Sequence, residues 1–187
     1  YIGTHGMAHA LDTILSAARI LQDAPDGDRY RILLLGDGAT KESLLARAKD
    51  ERLNNVLFVD SVPKDQVVRY WSLLDASIIH LKKDPLFKTV IPSKMFESMG
   101  MAIPILHGVE GESAEIVERE GVGLVFEPES AEALVERIRA LASDQDLHSR
   151  LKRNGPDAAK RYDRSILAKQ MLKTLEGQTR ADQGARP

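Results

Sequence analysis

The sequence predicts an α/β fold, namely a Rossmann-like, doubly wound and mostly parallel six-stranded sheet that is flanked by helices and followed by C-terminal helices. Two observations predict it. Short apolar runs alternate with segments of helical periodicity as far as Phe126, after which only helical patterns follow. Most of the apolar runs are consecutive rather than alternating, which is typical of strands covered on both faces. Such strand–helix alternation favours parallel strands joined by right-handed crossovers.

The predicted strands are the six apolar runs, at Tyr1–Gly3, Arg31–Leu35, Val56–Val59, Ala76–Leu81, Ile103–Leu106 and Gly123–Phe126. Eight segments have helical periodicity. Five of these separate the strands, at Ala8–Gln22, Lys41–Arg52, Lys64–Leu74, Lys94–Met101 and Ser113–Glu120. The other three follow the last strand, at Ala131–Ala142, Gln145–Tyr162 and Ser165–Leu175. We expect residues 1–176 to form one domain and residues 177–187, which lack apolar periodicity, to form a disordered tail.

Composition excludes several function classes. The formal net charge is −2, so the chain has no excess of basic residues that would attract nucleic acid. With one Trp, four Tyr and four Phe, it also has too few aromatic residues to predict a surface on which bases stack. The absence of cysteine excludes disulfides, thiolate metal sites and cysteine nucleophiles. No apolar run approaches the roughly 20 residues that span a bilayer. Because the sequence begins on what looks like the end of a strand, we expect it to be part of a longer protein.

Ligands of a doubly wound sheet bind beyond the carboxyl ends of its strands, so the loops that follow the strands are the candidate site. In the first of these, Gly3 and Gly6 permit a tight turn before a helix. The loop lacks the third glycine of the dinucleotide fingerprint, which argues against an NAD-type oxidoreductase. His5 and His9 have a spacing seen in metal sites, but no third ligand is evident and we predict no metal.

The loop between the fourth predicted strand and its helix is long enough to suggest a function. Pro92 favours an extended chain before it, and Ser93 is predicted to cap a helix whose first turn contains Lys94. A lysine there opposes the helix dipole unless an anion binds beside it. Glu97, one turn further on, could accept hydrogen bonds from sugar hydroxyls. Lys94 and Glu97 could equally form an exposed ion pair, and the residues leave both interpretations open.

The remaining loops are less informative. Thr40 and Ser113 are predicted N-caps, and the backbone around Val62 could either contact a flat base or simply connect two elements. No Ser-His-Asp set and no pair of carboxylates stands out, so the catalytic residues remain unknown.

The order of several motifs resembles the C-terminal donor domain of GT-B glycosyltransferases of family 4 (glycosyl transferases group 1). The motifs are YIG, LLLGDG, NVLFVDSVP, LLDASIIHL, FESMGMAIPI and GESAEIVEREGVGLVFEPESAEALVERI, and they extend from Tyr1 to about Tyr162. The stretch PLFKTVIPSKMFESM further resembles bacterial transferases that build lipid-linked O-antigen and capsule sugars.

The resemblance implies roles for individual residues. Family members carry two glutamates eight positions apart; the second matches Glu97, which would bind ribose hydroxyls, whereas Thr89 occupies the first position. The family's diphosphate-binding Arg and Lys fall at Thr4 and His9. Glu115 matches a family glutamate that we interpret as structural. The implied donor-binding residues are therefore Gly3, Gly6, Val62, Lys88, Ser93, Lys94 and Glu97.

The resemblance also implies an activity. The chain would be the donor-binding half of a retaining hexosyl- or N-acetylhexosaminyltransferase that uses a nucleotide diphosphate sugar, with UDP-sugar favoured, and neither cofactor nor metal. The acceptor would be lipid-linked or a saccharide, and the general base would lie in an N-terminal acceptor domain absent from this chain. We expect little turnover by the isolated domain, and a cytoplasmic location peripheral to the inner face of the membrane. Two alternatives remain: a GT-B nucleotide-sugar epimerase and a non-catalytic nucleotide-binding domain.

Overall fold

The computed structural model describes the backbone of residues 1–184 and the side chains of residues 1–176. Five parallel strands lie between helices, which confirms the predicted α/β, Rossmann-like class. The strands are β1 (Ile32–Leu35), β2 (Val56–Val59), β3 (Ser77–His80), β4 (Ile105–Gly108) and β5 (Gly123–Val125). They form a two-stranded sheet, β1-β2, and a three-stranded sheet in the order β3-β4-β5.

The prediction of one continuous six-stranded sheet is wrong in its first strand. Tyr1–Gly3 lies alongside β1, but only as an isolated bridge between Ile2 and Leu35. Its backbone hydrogen bonds go to β1: Leu35 N–H donates to the Tyr1 carbonyl and Gly3 N–H donates to the Leu35 carbonyl, each at 2.9 Å. No hydrogen bond among the described residues joins Tyr1–Gly3 to β3, so the sheet is divided between β1 and β3.

In residues 1–184, eight α-helices connect and follow the strands. They are α1 (Leu11–Gln22), α2 (Lys41–Asp50), α3 (Lys64–Trp71), α4 (Lys94–Gly100), α5 (Glu112–Glu120), α6 (Ala131–Ser143), α7 (Gln145–Arg161) and α8 (Arg164–Gly184). Helix α1 begins at Leu11 rather than at Ala8 because Met7–His9 forms a 3-10 turn and Ala10 has a φ of 44°. A second 3-10 turn, Pro85–Thr89, gives local structure to the long loop after β3.

Three apolar clusters hold the helices to the strands. In the largest, α1 and α6 cover one face through side chains such as Ile14, Leu15 and Leu134. On the opposite face Met95 and Met99 of α4 pack with α5 and α7 over β3 and β4. A smaller cluster joins α3 to β1 and the first residues of the chain. Burial on both faces explains why β3 and β4 read as consecutive apolar runs, whereas Leu57 of the apolar run in β2 is exposed.

Helix α8 extends into the segment 177–187, for which a disordered tail is predicted from the sequence. The helix continues to Gly184, and residues 185–187 lie outside the described residues. None of the described helices combines the length and apolar character needed to span a membrane.

Candidate functional site

The loops after β1 and after the first residues of the chain are in backbone contact at the carboxyl ends of the strands. Gly36 has a φ of +145°, and a Cβ atom added there would lie 1.9 Å from the carbonyl oxygen of Gly3. His5 N–H donates to the Asp37 carbonyl at 2.8 Å, and the amide and hydroxyl of Thr40 both donate to the His5 carbonyl. This close approach requires glycine at position 36. The first loop is therefore held rigidly at the sheet edge.

Helix α4 reaches the same place through Lys94. Its Nζ atom lies 4.0 Å from the centroid of the Tyr1 ring, in a cation–π contact. A Cβ atom on Gly3, whose φ is +145°, would lie 2.7 Å from that Nζ atom. The Tyr1 hydroxyl donates to the Thr4 carbonyl at 2.7 Å, which fixes the ring beneath the ammonium. The structure thus brings together two of the predicted residues, Gly3 and Lys94.

The Lys94 ammonium is an unneutralised charge that is largely withdrawn from water. Burial lowers its pKa from 10.5 to about 8, and the Glu97 carboxylate on the same helix opposes that shift. Among the side chains that the structure describes, none forms an ion pair with Lys94. The alternative interpretation, an exposed ion pair between Lys94 and Glu97, is therefore not observed among the described side chains. Because a desolvated charge is costly, an anion placed beside Nζ would bind favourably.

Three other predicted residues offer unused polar groups near α4 or at the sheet edge. Ser93 is exposed and its side chain makes no capping hydrogen bond, so the predicted N-cap is wrong. The reason is its backbone: a φ of −58° and a ψ of −31° are helical, whereas a capping residue is extended. Glu97 is exposed in the first turn of α4. Val62 packs against the cluster around Trp71. No described residue hydrogen-bonds to the backbone N–H or C=O of Val62.

Lys88 and Gly6 are placed differently from the expectation. The Nζ atom of Lys88 lies 3.2 Å from a carboxylate oxygen of Glu110, so its charge is already paired. Gly111, with a φ of +84°, approaches so closely that a Cβ would lie 2.1 Å from the Lys88 carbonyl oxygen. Gly6 has an ordinary φ of −97°. The hydroxyl of Thr89 donates to the Leu86 carbonyl within its own 3-10 turn.

The sequence does not reveal the roles of Tyr1 and His5. The Tyr1 ring has the rings of both His5 and His9 as neighbours, at centroid distances of 6.1 and 5.9 Å. His5 is fully buried, and neither of its ring nitrogens has a partner among the described residues. The aromatic residue two positions before Gly3 is the signal in the sequence that could have pointed to this cluster.

Two further predicted caps are wrong for an identifiable reason. Thr40 makes no capping bond because its hydroxyl donates to the His5 carbonyl at 2.7 Å. Helix α5 begins at Glu112, and the hydroxyl of Ser113 lies 2.9 Å from Nε2 of buried His107. In both places the hydroxyl contacts a histidine outside the helix instead of capping the helix start: the carbonyl of His5 for Thr40, and the ring of His107 for Ser113.

His80 joins the first loop to the turn after β5. Glu129 N–H donates to its Nε2 atom at 2.9 Å, so Nδ1 carries the proton and donates to the His9 carbonyl at 3.0 Å. Burial lowers the pKa of His80 to about 4, which keeps the ring neutral.

His5 and His9 are not part of a metal site in the described residues, where no three His, Asp or Glu side chains are grouped to hold an ion.

Comparison with known proteins identifies the family. The family model described as "Glycosyl transferases group 1" matches residues 1–158. No curated protein matches the chain. Among solved structures, the catalytic domain of cholesterol-alpha-glucosyltransferase from Helicobacter pylori is 13% identical, with a TM-score of 0.71, and the match covers 87% of this chain and 96% of that one.

Two further structures extend the likeness. The C-terminal domain of the group 1 family glycosyl transferase LpcC from Francisella tularensis is 20% identical, with a TM-score of 0.67, over 85% of this chain and 83% of that one. Anabaena HepE, solved in complex with UDP, is 17% identical with a TM-score of 0.78; the match covers 94% of this chain but 47% of HepE. At these identities the structures show a shared GT-B fold. Because the family model matches most of its length, the chain belongs to the glycosyl transferases group 1 family.

Proposed function

We propose that this chain binds the nucleotide diphosphate sugar of a glycosyltransferase reaction, with UDP-sugar favoured. The observation that carries the proposal is the Lys94 ammonium, which lies beside Gly3 at the carboxyl ends of the strands and has no ion-pair partner among the described side chains. A diphosphate beside Nζ would offset the desolvation of the lysine, and the charge-assisted hydrogen bond would help the diphosphate to leave during transfer. The UDP complex of the structurally similar HepE supports the choice of nucleotide.

The other predicted residues fit around this contact. Glu97, exposed one turn after Lys94, accepts hydrogen bonds from the ribose hydroxyls, and the exposed hydroxyl of Ser93 donates to a phosphate oxygen. The free backbone groups of Val62 bind the base, and Gly3 and Gly6 let the first loop approach the diphosphate. Lys88 contributes less than Lys94, because Glu110 already neutralises its charge.

We further propose that the whole enzyme, of family 4, transfers a hexosyl or N-acetylhexosaminyl group with retention to a lipid-linked or saccharide acceptor in bacterial surface polysaccharide synthesis. The stretch PLFKTVIPSKMFESM supports this pathway. An N-terminal domain supplies the acceptor site and the general base, without cofactor or metal. The enzyme acts in the cytoplasm, at the inner face of the membrane. Since the chain spans 47% of HepE, we expect the isolated chain to bind the donor and to turn over little.

A thermal-shift screen tests the proposal. The chain is heated with UDP-, GDP- and dTDP-sugars, and with NADH as a dinucleotide of a different class. A ligand that binds only the native state raises the melting temperature, so we expect a shift with UDP-sugar and none with NADH. A shift with NADH alone, or no shift with any nucleotide sugar at millimolar concentration, contradicts the proposal.

A further inference from the structure

Strand β2 is the outer edge of its sheet. It pairs with β1 on one side, and no strand among the described residues pairs with it on the other. In the ladder with β1, Ile32 N–H donates to the Asn55 carbonyl at 2.8 Å. Because successive residues of a parallel strand direct their backbone groups to opposite sides, the N–H and C=O groups of Val56 and Phe58 point away from β1. No described residue hydrogen-bonds to these outward groups.

The side chains of β2 do not protect this free edge. Exposed edges in proteins commonly carry a charged residue or a proline, which prevents pairing with another chain. The segment Val56–Val59 has neither, and the side chain of Leu57 at its centre is 61% exposed. Since the strand is only four residues long, pairing of its backbone alone would be weak. A stable contact at this edge therefore needs the surface beside the strand as well.

A groove beside the free edge of β2 supplies that surface. It has a volume of about 450 Å³ and lies between the strand and helix α2. Its lining includes Val56 and Phe58 from β2, and Leu45, Ala48 and Lys49 from α2. Leu45 is 41% exposed. The apolar surface thus continues from the edge of the strand onto the helix.

The outer face of α2 is complementary to itself in charge. Glu42, Leu45 and Lys49 have the spacing of a single helix face, and all three are exposed. The ion pairs described for α2 are made by Lys41 and Arg47 instead. Along the helix this face is therefore acidic, then apolar, then basic. A second α2 lying antiparallel to the first would bring Glu42 of each copy beside Lys49 of the other, with the two Leu45 side chains between them.

We propose that β2 and α2 form the interface of a two-fold dimer, in which β2 of a second copy of this chain pairs with β2 in antiparallel orientation. With the axis at Leu57, the outward groups of Val56 face those of Phe58 in the second copy, so about four backbone hydrogen bonds form. The two Leu57 side chains become neighbours at the axis and cover each other. Both copies use the same surface, as a two-fold interface requires.

The same axis brings the two α2 helices together. Leu44 and Ala48 of α2 pack in one cluster with residues of β1 and β2, so each helix covers this pair of strands. Neighbouring strands are ~4.8 Å apart, which places the two helices roughly 10 Å apart, a distance at which helices pack. The carboxyl ends of the strands point in opposite directions in the two copies, so neither candidate site is covered. The dimer is thus independent of the nucleotide proposal.

Sedimentation equilibrium from micromolar to millimolar protein measures the dissociation constant of the dimer. Leu57→Lys places two like charges at the axis, and we expect it to weaken dimerisation by about tenfold or more. Because Leu57 is exposed, the change does not disturb the apolar clusters. The matched control is Leu86→Lys, since Leu86 is 71% exposed but lies in the 3-10 turn after β3. It should leave the dissociation constant unchanged.

An exchange of charges tests the contact between the helices. Glu42→Lys and Lys49→Glu each bring like charges together across the interface, so each should weaken dimerisation at low salt. The double variant has the two charges exchanged within one helix and should dimerise as the unmodified chain does. Such a recovery is expected only if the two positions meet across antiparallel helices.

Three results would overturn the proposal. The first is a chain that remains monomeric up to millimolar concentration. The second is a dimer with the same dissociation constant in Leu57→Lys and in the unmodified chain, because the copies would then meet at another surface. The third is a double charge variant that dimerises no better than the two single variants, because the α2 helices would then not lie antiparallel at the interface.

Discussion

The Nζ atom of Lys94 lies 4.0 Å from the centre of the Tyr1 ring, although the two residues are far apart in the sequence. The ring offsets part of the cost of burying the ammonium but cannot neutralise it. The contact therefore holds a positive charge beside Gly3 in a position where a diphosphate could complete its coordination. On this account Lys94 reduces the stability of the unliganded chain and increases its affinity for a nucleotide.

Replacing Lys94 by methionine should therefore stabilise the unliganded chain. Methionine keeps the apolar stem against the Tyr1 ring and removes the desolvated charge, so we expect a gain of about 1–3 kcal/mol in the free energy of unfolding at pH 7. Urea denaturation measures it. Exposed Lys152 on α7 provides the matched control, and Lys152→Met should change the stability by less than about 0.5 kcal/mol. A loss of stability in Lys94→Met would contradict the account.

The stability should also depend on pH through Lys94. Its folded-state pKa of about 8 is below the unfolded value of 10.5, so the unfolded chain binds more protons between these values. Stability contributed by this group therefore rises as pH increases from about 8 to 10.5, by up to ~3 kcal/mol. The measurement is the difference in unfolding free energy between the unmodified chain and Lys94→Met at pH 7.5 and 10. The difference in unfolding free energy should be smaller at pH 10 than at pH 7.5. An equal difference at the two pH values would contradict the role given to Lys94.

Gly36 should not tolerate substitution, because it lies where the loop after β1 contacts the loop after Tyr1–Gly3. Its φ of +145° and the 1.9 Å approach of an added Cβ to the Gly3 carbonyl oxygen leave no space for alanine. We expect Gly36→Ala to lower the free energy of unfolding by about 2–4 kcal/mol and to weaken nucleotide binding, because the loop beside Lys94 is displaced. Gly100 in α4 is the control, since an added Cβ there meets nothing within 4 Å. Gly100→Ala should be neutral or stabilising by up to about 1 kcal/mol.

His80 should make the fold sensitive to acid. Its pKa is about 4 in the folded chain and 6.5 in the unfolded one, so stability is fully present above pH 6.5 and is lost as pH falls towards 4. The loss attributable to His80 is up to ~3 kcal/mol. His80→Gln should be less stable at pH 7, because it breaks the link between His9 and Glu129, but should lose less on acidification. Identical pH dependence in the two chains would contradict this role.

Local chemistry predicts much of this fold. Consecutive apolar residues such as those of Ile32–Leu35 identify strands covered on both faces. Four of the five described strands fall within predicted runs, whereas β4 continues beyond Leu106 to Gly108. The predicted cap at Thr40 fails because its hydroxyl bonds to His5, which is distant in the sequence. The one at Ser113 fails because α5 begins one residue earlier and the hydroxyl lies beside His107 in the same loop region. Tyr1–Gly3 has the composition of a strand, but it pairs with β1 only through an isolated bridge, and the sequence does not show which strands a segment will pair with.

The candidate site was only partly predictable. Lys94 could be selected because a cation in the first turn of a helix is unfavourable without an anion. The contact of Lys94 with Tyr1 could not be predicted, because that contact depends on how α4 packs against the first loop. The neutralisation of Lys88 by Glu110 likewise depends on the packing of two loops that the sequence separates.

The most direct test of the central claim is the dissociation constant for UDP, measured by calorimetric titration at pH 7 for the unmodified chain, Lys94→Met and Lys88→Met. A charge-assisted hydrogen bond contributes about 1.5–3 kcal/mol, so Lys94→Met should bind at least tenfold more weakly. Lys88→Met, which loses a charge already paired with Glu110, should bind within about threefold of the unmodified chain. Equal affinity of Lys94→Met and the unmodified chain would contradict the claim that this ammonium binds the diphosphate.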